Sequence, residues 1–189
     1  YITCQLKYYF KYIAGINETD EIDVDDVDNR IFGNIFHTAA QLMYEKLLPR
    51  EIITAKDIDK LLKTGKSTQS LTSGNADLTL DDIVDESFAQ ELFNQQPGTR
   101  KHPKLNGLQL INREVIIKYL HQLLRIDRRT APLRVIGHEF PVKRPLTIKV
   151  NGLEKQIETG GRIDRLDEIH VDSDNARLRV VDYKTGSKV

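Results

Sequence analysis

Apolar residues recur with two different periods along this chain, and the change of period divides it. Up to about residue 130 the spacing is helical. Leu6, Tyr9, Phe10 and Ile13 give Tyr1 to Tyr12 the pattern of an amphipathic helix that buries one face and ends near Gly15. After an acidic loop, Glu18 to Asp28, Phe32 to Leu48 carries the strongest helical pattern, with Phe36, Ala40, Met43 and Leu47 as its buried stripe. Ala55 to Lys63 and Leu80 to Phe93 read as further helices, separated by a Ser/Thr/Gly-rich loop over Thr64 to Asn75. Gln95 to Gly107 reads as a second loop. Leu110 to Arg125 then reads as a helix with Val115, Tyr119 and Leu123 on one face.

From Leu133 the period becomes two. Ile136, His138, Phe140 and Val142 share one side and Glu139 points to the other. Leu146 to Val150 and Leu153 to Ile157 flank Asn151-Gly152, a tight-hairpin signal. A second hairpin follows in Thr159 to Gly186, turning at Asp172 to Asn175. Alternation in its second run puts Leu178, Val180, Asp182 and Lys184 on one face, expected to be the apolar side, and Arg177, Arg179, Val181 and Tyr183 on the other. A charged pair continuing an apolar face is costly unless it is paired, bound to metal or at work in chemistry. Asp164 on the preceding run comes alongside Asp182 across the hairpin, and two adjacent carboxylates are made favourable most simply by a divalent cation.

Composition narrows the class without adding chemistry. The chain has 189 residues, 39% hydrophobic and 30% charged, which suits one domain with a sizeable core, mainly helical over 1–130 and carrying its sheet over 133–189. No apolar run is long enough to cross a membrane, so a soluble, cytoplasmic protein with no membrane partner is expected. The single cysteine, Cys4, excludes an internal disulfide and a four-cysteine iron-sulfur cluster within these residues. Net charge is zero, but its distribution is uneven: Asp20 to Asp28 and Asp77 to Glu86 are acidic, Arg100 to Lys104 and Arg125 to Arg144 basic. Such patches read equally as solvated faces. A start at Tyr1 and an end just after Lys184-Thr185-Gly186 read as a piece excised from a longer protein.

Two blocks, Gly161-Arg-Ile-Asp164-Arg-Leu-Asp167 and Val180-Val-Asp182-Tyr-Lys184-Thr-Gly186, occur in order at hairpin spacing. Together they resemble the PD-(D/E)XK nuclease superfamily in its RecB-type branch, which includes AddB-like helicase-nuclease subunits. The aromatic N-terminal run and Gly33-Asn-Ile-Phe-His37 are similar to the same branch, where a histidine so placed joins the metal site. Read alone, His37 lies about 100° around the helix from Phe36 and is an ordinary half-buried, hydrogen-bonding residue.

The resemblance implies an α/β (α+β) fold with a restriction-endonuclease-like core: a mixed central sheet flanked by helices, with a helical insert. It implies Mg²⁺- or Mn²⁺-dependent hydrolysis of DNA, as an exonuclease or an endonuclease, in repair or recombination beside a helicase domain or subunit. Asp164, Asp182 and Lys184 would be catalytic. His37, Asp164, Asp182 and the Tyr183 backbone carbonyl would hold the metal. Glu139 is either an auxiliary carboxylate or a surface residue. The central helices lie outside the resemblance, and a Gln/Tyr-bearing helix that follows Lys-Thr-Gly in much of the family is missing, so the fragment could hold metal and yet cleave poorly. The rival is a degenerate nuclease fold used for DNA binding or subunit docking, and a third possibility is the same site acting on RNA or another phosphodiester.

Overall fold

The computed structural model describes residues 5–15, 27–66, 78–97, 102–150 and 152–185. Cys4, Gly186, most of the Asp20 to Asp28 stretch and most of the loop at Thr64 to Asn75 lie outside them, as do Asp77 and part of the Arg100 to Lys104 patch.

Four of the helices start where a short polar side chain caps them. Asp28 accepts from the Ile31 amide at 2.7 Å and opens α2 (Asn29–Leu42), which runs on as a wider π-helical turn over Met43–Leu47. Thr54 with Asp57, Thr79 with Asp82, and Asn106 with Gln109 form reciprocal capping boxes that start α3 (Ala55–Thr64), α4 (Leu80–Glu91) and α5 (Gly107–Thr130). Gly65 ends α3 at φ 63°, a left-handed conformation in which a Cβ would be strained.

These helices bury one core. Ile35, Ala39, Met43 and Leu47 of α2 and its extension pack with Ile58 and Leu61 of α3, Ile83, Val84 and Phe88 of α4, and Ile116, Leu120 and Leu124 of α5. Every such fully buried aliphatic or aromatic side chain contributes about 1.5–3 kcal/mol. The buried stripe of α5 runs through Ile116, Leu120 and Leu124, one position on from the expected Val115, Tyr119 and Leu123, and Tyr119 is exposed. The N-terminal helix, α1 (Gln5–Tyr8) with a π-helical turn over Tyr9–Ile13, also departs from expectation. Leu6, Tyr9, Phe10 and Ile13 are all exposed, because no described element covers them.

The sheet has the order β1-β2-β3, made of β1 (Leu133–Val150), β2 (Leu153–Ile169) and β3 (Arg177–Val181). The architecture is α+β, consistent with a restriction-endonuclease-like core. Both strand pairs are antiparallel, so the mixed character expected of the sheet has no parallel pair among the described residues. Leu133 to Val150 is a single strand, its register shifted by a bulge between Val135 and Gly137. Only the proximal part of this long ribbon is backed by helices. From Leu153 to Arg162 every residue of β2 is exposed.

The expected polarity of β3 is reversed. Leu178 and Val180 are 66% and 62% exposed, while Arg179 turns inward. The inner side is filled by ion pairs: Arg165 and Asp167 of β2 and Asp127 of α5 are buried together with the Arg179 guanidinium. Charge is tolerated there because each group has an opposite partner. Asp182 and Lys184 therefore continue the solvent-facing side of β3 rather than an apolar core face.

Candidate metal centre and active site

Three elements meet at one point beside this sheet. His37 projects from α2 half a turn beyond the buried Ile35, and its ring is held edge-on against Tyr183, centroids 5.4 Å apart. Glu139 leaves β1 just past the bulge, and Asp164 lies on β2 where the register sets it opposite Glu139. His37 Nδ1 is 3.7 Å from Glu139 Oε1 and 3.7 Å from Asp164 Oδ2. One ligand atom from each of the three lies within 4.8 Å of the others, and the side chains are 28%, 38% and 13% exposed respectively. The cluster is reachable from solvent yet has a sheltered inner carboxylate.

Glu139 is in an unusual conformation. Its φ is 47°, a left-handed value for a non-glycine residue within a strand, which costs on the order of 1–3 kcal/mol and persists where surrounding structure fixes it. The bulge and this residue together re-aim the strand so that the Glu139 carboxylate meets His37. Its other oxygen, Oε2, accepts from Arg162 at 3.4 Å. Alternation alone puts Glu139 off the Ile136–Val142 face but gives no sign of the bulge, so the sequence leaves its role open.

Tyr183 joins the cluster through its amide. The Tyr183 N–H donates to Asp164 Oδ2 at 2.6 Å, orienting the carboxylate. Its ring packs edge-on against Phe36, centroids 5.4 Å apart, as well as against His37. Burial pushes the Tyr183 phenol well up, so it stays protonated. Behind the next residue, a Cβ added to Gly33 would lie 3.2 Å from Thr185 Oγ1, so the bare glycine lets the chain after β3 lie close against α2. That close approach gives the Gly33-x-x-x-His37 spacing a physical reason: the glycine seats the C-terminal segment one helical turn from the histidine.

Asp182 and Lys184 stand at the rim. Asp182 and Asp164 each lie one residue beyond Arg165–Val181, the last pair of the β2–β3 register. The Asp182 carboxylate nonetheless pairs with Lys184, Nζ to Oδ1 2.9 Å, and the two side chains are 57% and 79% exposed. Among the described residues the three-ligand group comprises His37, Glu139 and Asp164, without Asp182. The hydrogen bond that Lys184 donates to Asp182 pushes the ammonium's pKa up and keeps it charged, aided by the nearby Asp164 charge.

Two carboxylates and one imidazole form an oxygen-rich donor set with a single nitrogen, which suits a hard divalent cation such as Mg²⁺ or Mn²⁺ better than Zn²⁺. A cation there would offset the repulsion of Glu139 and Asp164, held on adjacent strands. Sequence reasoning missed the buried group behind the site, Tyr44, Asp127, Arg165, Asp167 and Arg179. Its one legible signal is that Arg165, Asp167 and Arg179 sit on the parity of Ile163, Ile169 and Val181.

No helix among the described residues is long and apolar enough to cross a membrane. No curated protein and no solved structure matches the chain. The family model of the PD-(D/E)XK nuclease superfamily matches residues 1–189, the whole of the sequence given. With a histidine and two carboxylates converging at the base of the β2–β3 hairpin, and an Asp-x-Lys at its exit, the chain belongs to the PD-(D/E)XK nuclease superfamily.

Proposed function

We propose that this chain is a nuclease domain hydrolysing DNA phosphodiesters with Mg²⁺ or Mn²⁺ at the His37–Glu139–Asp164 cluster. The observation that carries the proposal is the meeting of these three side chains from α2, β1 and β2 within 4.8 Å. A bound divalent cation supplies a Lewis acid for the scissile phosphate and a more acidic attacking water. His37 would serve through a neutral ring nitrogen, and Glu139 and Asp164 would neutralise the cation's charge. Asp182, one residue past the Arg165–Val181 pair, is taken as a further ligand, with the Tyr183 carbonyl beside it. The Tyr183 amide holds Asp164 in the orientation the site needs. Lys184, kept protonated by Asp182, would orient the water or offset charge growing on the phosphate.

The order and spacing of the two hairpin blocks support the narrower reading as well: a RecB-type, AddB-like domain, acting as an exonuclease in repair or recombination next to a helicase. A second reading, a nuclease fold serving as a DNA-binding or docking scaffold, is favoured by one observation. Asp182 and Lys184 pair with each other at the surface, outside the three-ligand group.

Incubating the protein with linear and circular DNA, single- and double-stranded, with Mg²⁺, with Mn²⁺ and with chelator separates the two. Cleavage that needs the cation is the expected result, and loss of circular substrates would exclude an obligate exonuclease. A folded protein that binds DNA and cuts none of these substrates would overturn the enzymatic reading in favour of the scaffold.

A further inference from the structure

Directly behind Asp164, the next residue of β2 faces the opposite way into a buried cage. The Arg165 side chain is fully buried. Its Nε and Nη2 donate to Asp167 Oδ1 and Oδ2 at 2.9 and 3.0 Å, a two-pronged grip within the same strand. Nη2 also reaches Asp127 of α5, with Oδ2 at 2.9 Å. Asp127 in turn accepts from the Tyr44 hydroxyl and, at 2.7 Å, from Arg179 Nη2 of β3. Two guanidinium groups and two carboxylates thus balance one another while tying α2's extension, α5, β2 and β3 together.

Stability alone is a poor account of this cage. Burying four charges costs several kcal/mol per ion, and well-packed apolar residues in such places are often as stable or more so. Two of its polar atoms, Arg165 Nη1 and the neighbouring Tyr183 hydroxyl, are buried with no hydrogen-bond partner among the described residues. What the cage does provide is direction. The Arg165 guanidinium carbon lies 4.5 Å from the Tyr44 ring centre and 5.9 Å from that of Tyr183. Tyr183 is also the residue whose ring contacts His37 and whose amide holds Asp164. A forked, two-sided grip on Arg165 fixes the rotation of β2 about its own axis, and with it the direction in which Asp164 points.

We propose that Arg165, clamped by Asp167 and Asp127, is a positioning residue that aims Asp164 and, through Tyr183, His37 at the shared cation. This rests on the metal-site reading above. A lysine at position 165 keeps the charge but has no fork, so it would hold the strand in place without fixing its rotation.

The test is Mn²⁺ binding by calorimetry on folded wild type and Arg165→Lys, with thermal stability and DNA cleavage measured in parallel. The proposal expects Mn²⁺ affinity to fall by about 10- to 100-fold and kcat to fall while KM for DNA changes little. A merely structural arginine would lower Tm and leave Mn²⁺ affinity per folded molecule and kcat alone, and that result overturns the proposal. If Arg165→Lys does not fold, Arg179→Lys, which alters the cage from its part-exposed side, is measured instead against the same two outcomes. A wild type that binds no Mn²⁺ would overturn the metal site and this inference together. Wild-type binding with unchanged variants would overturn this inference only.

Discussion

Asp164 Oδ2 accepts the Tyr183 amide at 2.6 Å and lies 3.7 Å from His37 Nδ1, so one oxygen is the point where the C-terminal segment and the active-site helix meet. Asp164→Asn should keep an acceptor for the Tyr183 amide while removing the charge that a cation needs. Cleavage should fall by about 10²-fold or more with the fold retained by circular dichroism. Unchanged cleavage by the folded variant would remove Asp164 from the chemistry.

Gly33 sets how closely Thr185 approaches α2, because an added Cβ would stand 3.2 Å from the Thr185 hydroxyl. Gly33→Ala gains up to about 1 kcal/mol of helix propensity and asks Thr185 to move by a few tenths of an ångström, so its stability should change little. Gly33→Val adds two methyls in the same space and should displace the segment bearing Asp182 and Lys184. Turnover should drop for the valine variant well beyond any fall in Tm. Equal turnover in wild type, alanine and valine variants would mean that the contact has no bearing on the site.

Lys184 is the most solvent-exposed member of the proposed machinery, and its stem makes no demand on the core. Lys184→Met should therefore leave Tm and Mn²⁺ affinity near wild type and slow turnover at saturating DNA by about 10²-fold. A loss confined to KM would make it a phosphate clamp.

Two partly buried histidines outside the cluster, His138 and His121, predict a direction for stability against pH. Burial, reinforced by the Arg165 guanidinium, holds His138 below the ordinary histidine range, and burial with Arg125 does the same for His121. A lowered folded-state pKa means that the unfolded chain takes up protons first. Stability is therefore full above the unfolded value of ~6.5 and is lost as pH falls from there toward the folded values. Tm followed by calorimetry should decline across that window, and His138→Gln with His121→Gln should flatten the decline. A Tm that rises on acidification through the window would contradict the assignment.

Much of this arrangement is legible in the sequence because it depends on local chemistry. The helices, the Leu133 change of period and the β2–β3 hairpin follow from side-chain pattern and hairpin pairing. Three things were not legible. The Glu139 carboxylate reaches His37 only because a bulge and a positive φ re-aim β1, and neither leaves a mark in the alternation. The inner face of β3 is charged rather than apolar because its partners, Asp127 and Tyr44, come from distant elements. The apolar face of the N-terminal helix reads as buried, yet packing depends on a partner surface that no local pattern supplies.

The central claim is that His37, Glu139 and Asp164 form one cation site although they lie on three elements. Titrating Mn²⁺ calorimetrically into wild type, His37→Ala, Glu139→Gln and Asp164→Asn tests it most directly. Saturable binding by wild type, weakened about tenfold or more by each single substitution with each variant folded, is the predicted result. Wild-type affinity in the folded His37→Ala and Glu139→Gln proteins would contradict it, leaving the cation, if bound, to the hairpin carboxylates alone.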